Sequence, residues 1–488
     1  MTRRPVRLAP DSDGRLAAAF AALRAELKLS ETFPPEVQAE AEHAIRDARL
    51  PDADLLALPL ITIDPAGSTD LDQAMFLQRD GDGYRAYYAI ADVPAFVRPG
   101  GAIGAEARRR GQTMYAPDGR IPLHPAVISE GAASLLPGEV RGAFVWELGL
   151  DADARVVSTT VGMARVRSVR QYSYPEAQAE LDGAGAPTSS ATDSLPELVE
   201  GHDTLPLLKE IGLKRILLEQ ERGGASLNRP EQEIREVDGG YRLIRRSTLP
   251  VEDWNAQVSL MTGMAAAQLM IGGRVGILRT MPAPDAETID RFRRQTTALG
   301  SPWPEGQPYG DYLRTLDSAD PRQLAIIHAA SSLFRGAGYT AFDGEVPAET
   351  EQAAVAAPYA HVTAPLRRLV DRFSLVVCEA LCSGEPVPDW VRGALPTLPA
   401  IMGTSDGIAS RLDRGAISAV EAAVLSTRVG EEFSATVISA RDGGGVIQLA
   451  EPPVTAECDG ALRAGAVVRV TLLQAEIETG TVRFAAKP

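Results

Sequence analysis

In the first 50 residues the apolar positions recur three and four apart. This spacing over "DGRLAAAFAALRAELK" (13–28) and "PEVQAEAEHAIRDA" (35–48) predicts two helices joined by "LSETFP". Ser30 and Thr32 are cap candidates, and Pro34 lies near the second start. Plain packing accounts for such a pair; a helix-turn-helix is the alternative. From residue 57 the period shortens to two. "LPLITI" and "YRAYYAIADVPAFV" are rich in β-branched and aromatic residues, and the "QRDGDGY" between them reads as a hairpin turn, so an antiparallel pair is predicted. "AFVWELGLDADARVVSTTVGMARVRS" predicts a second hairpin turning at "DADA". The Gly/Ala/Ser/Pro tract "LDGAGAPTSSATDSLPE" (181–197) reads as a surface excursion.

Helical spacing dominates from about 204 to 428, broken by short strands such as "YRLIRR". "NAQVSLMTGMAAAQLMI" (255–271) is apolar on every face and predicts a buried central helix; "TSDGIASRLDRGAISAVEAAVLSTRVG" predicts a long helix closing the region. After Val429 about five short strands with Gly turns predict a small closed barrel of OB type. Strands followed by helices make the fold α+β rather than alternating βαβ. The expected partition is a helical element over 1–50, an α+β domain with a mixed or antiparallel sheet over 51–427, and the OB barrel over 428–488.

Composition narrows the class. With 488 residues, 45% of them hydrophobic, the chain can bury cores for several domains. No window approaches the roughly 18–20 apolar residues of a membrane span, and "MTRRPVRLAPDSDGRL" lacks a secretory pattern, so a cytoplasmic protein is expected. Three cysteines cannot make a disulfide framework. Cys378 and Cys382 lie one helical turn apart among Val and Leu, which suits buried thiols better than a metal pair. A net charge of -16 argues against broad electrostatic capture of nucleic acid but leaves room for a local, metal-lined groove. Basic charge is nearly all Arg, with Lys only at 28, 209, 214 and 487.

Candidate chemistry is concentrated in "LITIDPAGSTDLDQAMFL" (60–77), where an apolar strand runs into Asp64, Asp70 and Asp72. Residues at i and i+2 of extended backbone project to one side, so Asp70 and Asp72 can share a ligand, and the "PAGST" loop can bring Asp64 to them. Clustered carboxylates repel unless a hard cation sits among them, and all-oxygen ligation selects Mg²⁺ or Mn²⁺. An EF-hand fails, because Ala66 and Met75 occupy ligand positions. A polar loop with turn-capping aspartates and the Asp-x-Asp of a sugar-nucleotide transferase both stay open on this stretch alone.

A second segment, "APYAHVTAPLRRLVDRFSLVVCEAL" (357–381), predicts a helix capped by Thr363 or Ala364, with Leu366, Leu369, Val370 and Phe373 as its buried stripe. That start puts Arg367 and Arg368 in the first turn, where the macrodipole disfavours cations, so an anion is expected nearby; Asp371 can pair with either arginine.

Together, "TIDPAGSTDLDQAMF", "YYAIADVPAFVRPG" and "YAHVTAPLRRLVDRF" resemble the catalytic domain of the ribonuclease II and ribonuclease R family of processive 3′-to-5′ exoribonucleases. "RGGASLNRPEQEI" and the barrel-like tail fit the same resemblance, which covers roughly 50–488. It implies Mg²⁺, with Mn²⁺ as a substitute, held by Asp64, Asp70 and Asp72, and a single-stranded RNA 3′ end as partner, with release of nucleoside 5′-monophosphates. Tyr115 in "RGQTMYAPDGRIPLHP" would contact the terminal nucleotide, and Arg367 would steady the scissile phosphate. His361, Thr363 and Arg368 would line the RNA, the first two in structural and positioning roles. A monomer is expected.

Three departures from the family pattern matter. Gln73 stands where a fourth acid is usual, so it would serve as a weak or water-mediated ligand, and the enzyme would need more Mg²⁺ or prefer Mn²⁺. The glutamate expected on the central helix has three candidates, Glu252, Asp253 and Gln257, with no assignment. The N-terminal 50 residues are helical where the family carries cold-shock barrels, which predicts a more open RNA entrance tolerant of duplex. A catalytically weak RNA-binding regulator on the same scaffold is the alternative function.

Overall fold

The computed structural model describes residues 12–183, 203–225, 231–237, 240–246, 248–449 and 451–487. Most of the 181–197 tract and the middle of "RGGASLNRPEQEI" therefore lie outside the described residues.

The alternating segment after residue 57 forms strands β1 (Leu60–Asp64), β2 (Gln73–Asp80) and β3 (Gly83–Ala91). A short hairpin, β4 (Met114–Ala116) and β5 (Gly119–Ile121), precedes the long pair β6 (Val140–Leu150) and β7 (Val156–Ser173). The β6–β7 hairpin forms as predicted, with Leu150 opposite Val156. The turn at "QRDGDGY" also forms, with Asp80 opposite Gly83, but the strand entering it is β2 and not "LPLITI", which as β1 pairs with β2 and β7 instead of β3. The expected sheet closes on itself. β1 runs parallel to β7, so the order β1-β2-β3-β6-β7 is a five-stranded barrel. Closure follows from length: β7 has 18 residues, enough to pair with β6 along its first part and with β1 from Ser168 to Ser173. The register sets Asp64 opposite Ser173 at the barrel rim.

The all-apolar segment is the central helix Pro250–Gly273, whose Val258, Met261, Ala266 and Met270 are buried in the same core as Tyr88 and Trp146. A close approach fixes the helix in place, since a Cβ on Gly263 would sit 2.2 Å from the Tyr359 ring. Three small strand pairs follow the barrel: β8 (Glu231–Val237) with β9 (Gly240–Arg246), β10 (Val275–Thr280) with β11 (Gly338–Asp343), and β12 (Glu351–Gln352) with β13 (Ala357–Pro358). The helices Leu369–Ser383 and Leu398–Leu425 close the domain. Cys378 is buried in the first of these against the Ala266 carbonyl, and Cys382 is half-buried.

The tail is the predicted barrel of five strands: β14 (Glu432–Arg441), β15 (Gly444–Leu449), β16 (Thr455–Asp459), β17 (Val467–Glu476) and β18 (Thr481–Ala486). Its order is β14-β15-β16-β18-β17, again closed by one parallel pair, β16–β18, around Phe433, Val437, Ile447, Val470 and Phe484.

The N-terminal helices, Ser12–Glu26 and Pro35–Asp47, are claimed by different cores. Leu16 and Phe20 pack on Ala416, Val420 and Ala423 of the long helix; Val37, Ala41 and Ala44 pack with Leu60, Phe76 and Val145 of the first barrel. The second helix has Pro34 at its N-cap and no side-chain cap, so neither Ser30 nor Thr32 caps it; the Ser30 hydroxyl donates to the Thr32 carbonyl at 2.9 Å.

Candidate active site

Two of the three aspartates are held by named partners. Asp72 lies between β1 and β2 and is 2% exposed, accepting from the Leu366 N–H at 2.8 Å and from Arg367 Nε at 2.7 Å. Burial pushes its carboxyl up to about 6 against the pull of Arg367 and the Leu366 N–H. Asp64 ends β1 with its Oδ2 buried and without a hydrogen-bond partner. Its carboxyl is pushed up to about 7, first by burial and then by the charge of Asp72, with Arg367 opposing. Asp70 points to a guanidinium, Arg120 Nη1, at 2.5 Å.

Arg367 reaches Asp72 because its loop is pinned at both ends. The helix begins only at Leu369, with Arg368 in extended conformation at its N-cap, so both arginines precede the first turn rather than occupy it. Residues 364–368 instead make a turn in which the Arg367 and Arg368 N–H groups donate to the Ala364 carbonyl at 3.1 and 2.8 Å. The buried stripe Leu366, Leu369, Val370 and Phe373 forms as expected. Asp371 settles which arginine it takes. It is 0% exposed, accepts from the Ala364 N–H at 2.7 Å, and holds Arg368 by two bonds at 2.8 and 2.9 Å. Arg368 is therefore the loop's internal clamp, while Arg367, its side chain 42% exposed, keeps an open edge beside the acids.

The same loop positions the Tyr115 hairpin. Thr113 N–H donates to the Arg367 carbonyl at 2.9 Å, and Leu369 N–H to the Gly111 carbonyl at 3.0 Å. Gly111 has φ 73°, and a Cβ there would lie 2.5 Å from Ser405, so this turn against the long helix requires glycine. In the β4–β5 register Tyr115 faces Arg120. Tyr115 is 53% exposed, yet its hydroxyl feels Arg367, Asp70, Asp72 and Arg120. Sequence reasoning missed Arg120. The signal was the "PDG" turn, which predicts a tight hairpin and hence a residue opposite Tyr115. Arg120 also pairs with Glu130 at 2.9 Å and donates to Thr69 at 2.9 Å.

The remaining predicted residues divide between support and the site floor. His361 is partly buried; its Nδ1 is 2.8 Å from the Tyr339 hydroxyl, and burial together with Arg368 and Arg279 holds it neutral. Thr363, buried, bonds Ser259 of the central helix at 2.9 Å. Gln73 opens β2, and its Oε1 accepts from the buried Tyr88 hydroxyl. Of the three candidates on the central helix, Glu252 is taken by Arg246 at 2.7 and 2.8 Å, and Gln257 donates to Glu219 at 2.6 Å. Asp253 is desolvated beside Glu252 and Glu219. On the same helix the buried Asn255 Oδ1 has no hydrogen-bond partner, and its neighbour Tyr174 feels the charge of Asp64.

Among the described residues no group of three or more His, Cys, Asp or Glu is disposed to hold a metal ion. The donor chemistry nevertheless fits a hard cation. Asp64 leaves a buried carboxylate oxygen unpartnered, Asp64 and Asp72 repel each other, and two guanidiniums supply the compensating charge. Among the described residues no helix is long and apolar enough to cross a membrane.

A five-stranded barrel bearing clustered acids and an arginine loop, followed by a small closed barrel, defines a class that comparison makes specific. The sequence matches the RNB domain over residues 53–381 and the RNase II-type exonuclease C-terminal S1 domain over 431–487. The chain belongs to the RNB-domain family. Ribonuclease R of Escherichia coli (strain K12) is 28% identical over 339 residues, 68% of this chain but 40% of that protein, so the chain spans well under half of that relative's length. Mycoplasma genitalium RNase R, solved in complex with ribose methylated single-stranded RNA, shares the fold with a TM-score of 0.86 at 16% identity, over 97% of this chain and 78% of that one. Yeast Ssd1, described as a pseudonuclease, shares it with a TM-score of 0.64 at 18% identity, over 88% of this chain and 54% of that one.

Proposed function

We propose that the protein is a metal-dependent, processive 3′-to-5′ exoribonuclease that hydrolyses single-stranded RNA to nucleoside 5′-monophosphates. The observation that carries it is the 2.7 Å contact of Arg367 with Asp72, two residues from motifs far apart in sequence, beside the unpartnered Asp64 oxygen. Family membership and the C-terminal S1 domain support RNA as substrate.

Asp64, Asp70 and Asp72, with Gln73 at the margin, would hold Mg²⁺ or Mn²⁺, which activates water and neutralises phosphate charge when bound. Arg367 is held in direction by Asp72, so its open edge offers donors to the charge that develops on the scissile phosphate. Tyr115 offers an exposed ring on which the terminal base can stack. His361 is held neutral, which leaves it a fixed hydrogen-bonding group rather than a proton carrier near neutral pH.

The sugar-nucleotide transferase alternative lacks its scaffold. The parallel pairs joining named strands among the described residues, β1–β7 and β16–β18, both close barrels rather than form a βαβ unit. A non-catalytic RNA-binding protein is favoured by one observation: Gln73 brings no charge, and its oxygen is engaged by Tyr88. Incubation with 5′-labelled and 3′-labelled oligoribonucleotide plus Mg²⁺ or Mn²⁺ separates the two. Early release of labelled mononucleotide from the 3′ end supports the exonuclease; retained full-length RNA with every divalent ion supports the binding protein.

A further inference from the structure

The hairpin that carries Tyr115 and Arg120 has three residues per strand, too few to hold its own shape in water. Its position is set by what grips it, and the N-terminal helical segment does so at four points. Arg24 of the first helix holds Asp118, in the hairpin turn, by two bonds of 2.7 Å, with both side chains less than a fifth exposed. Leu27 shares a small core with Met114 and Ile121 on either strand. At the hairpin base Arg110 donates to the Thr32 carbonyl at 2.8 Å and to the Pro122 carbonyl at 3.0 Å, with its guanidinium 3.8 Å over the Phe33 ring. Glu40 of the second helix accepts from the Ala102 N–H at 2.5 Å, the first residue of the helix Ala102–Arg110 that leads into the hairpin.

We propose that the N-terminal helical segment is a positioning part of the active site, and that Arg24 is a positioning residue acting through Asp118 on Tyr115 and Arg120. The claim rests on the exonuclease function proposed above. Tyr115 and Arg120 stand at the reacting end, while the rest of a bound strand is held elsewhere. Loosening the hairpin therefore slows the chemical step more than it weakens binding.

The test uses the full chain with Arg24→Gln, Asp118→Asn, the double variant, and Arg411→Gln as control, which removes an ion pair to Glu26 of the same helix without touching the hairpin. Steady-state cleavage of a 5′-labelled single-stranded oligoribonucleotide with Mg²⁺ gives kcat and KM, and hydrogen exchange reports on amides 114–121. Each single variant should lower kcat roughly five- to tenfold with KM within about twofold, and speed hairpin exchange. The double variant should be no worse than Arg24→Gln, because both single variants remove the Arg24–Asp118 pair and Arg24→Gln alone also removes the Arg24–Glu31 pair. Arg411→Gln should match the unmodified protein. Additive losses in the double variant, an equal loss in Arg411→Gln, or unchanged hairpin exchange in Arg24→Gln would each overturn the proposal. An inactive unmodified protein would instead sink the exonuclease function, and the exchange measurement would still decide the role of Arg24.

Discussion

The two barrels share a plan and differ in what they bury. Each has five strands closed by a single parallel pair, yet the first buries Asp72 and Asp92 just beyond its strand ends, both pushed up to about 6 by burial, and holds Asp64 at its rim at about 7. The second buries an apolar core with only Thr436 and Gln448 as buried polar residues on its strands. Its charges meet at the surface, in Arg441–Glu457, Arg483–Asp459 and Lys487–Glu432. The second barrel thus keeps its carboxylates in water. The first barrel tolerates repulsion and desolvation at one rim, which is what the proposed cation and phosphate site would require.

The largest break in this contrast comes from Asp72→Asn. It removes the charge that directs Arg367, and turnover of labelled RNA should fall by about 100-fold or more while RNA retention on a filter persists. Next is Gln73→Asp, which adds the missing charge beside Asp72; divalent-ion affinity, measured by titration calorimetry, should rise roughly tenfold.

Asp64→Asn sharpens the comparison through stability. A carboxyl with a raised folded pKa holds its proton more tightly folded than unfolded, so its contribution declines as pH climbs from 3.8 through about 7. Denaturant melts in chelator at pH 8 should show the variant more stable by roughly 1–3 kcal/mol, with the gap closing below about pH 4. A gap that persists at low pH would assign the gain to packing instead. The smallest effect belongs to the second barrel. Arg483→Gln removes a pair half-exposed on both sides and should change stability by about 0.5 kcal/mol or less at any pH.

Local pattern was legible and long-range pairing was not. The central helix, the β6–β7 hairpin, the turn between β2 and β3, and the five C-terminal strands follow from period and turn chemistry, since each depends on neighbours in sequence. Closure of the first barrel depends on β1 meeting β7 more than 100 positions later, and no local signal reports that. The same limit divides the site. Asp72 and Arg367 were readable as chemistry, but the division of labour between Arg367 and Arg368 was decided by Asp371 and the Ala364 turn, which delay the helix start to Leu369. Arg120 was overlooked because it belongs to no charge cluster in sequence; only the fold turns it toward Asp70.

The central claim is that the rim acids exist to hold a divalent cation, with Arg367 steered by one of them. Electron paramagnetic resonance of Mn²⁺ titrated into the protein, with Asp64→Asn and Asp72→Asn in parallel, reads this without reference to activity. Saturable binding in the unmodified protein that weakens at least roughly tenfold in both variants is the predicted result. Equal Mn²⁺ uptake by all three proteins, or none by any, would contradict it.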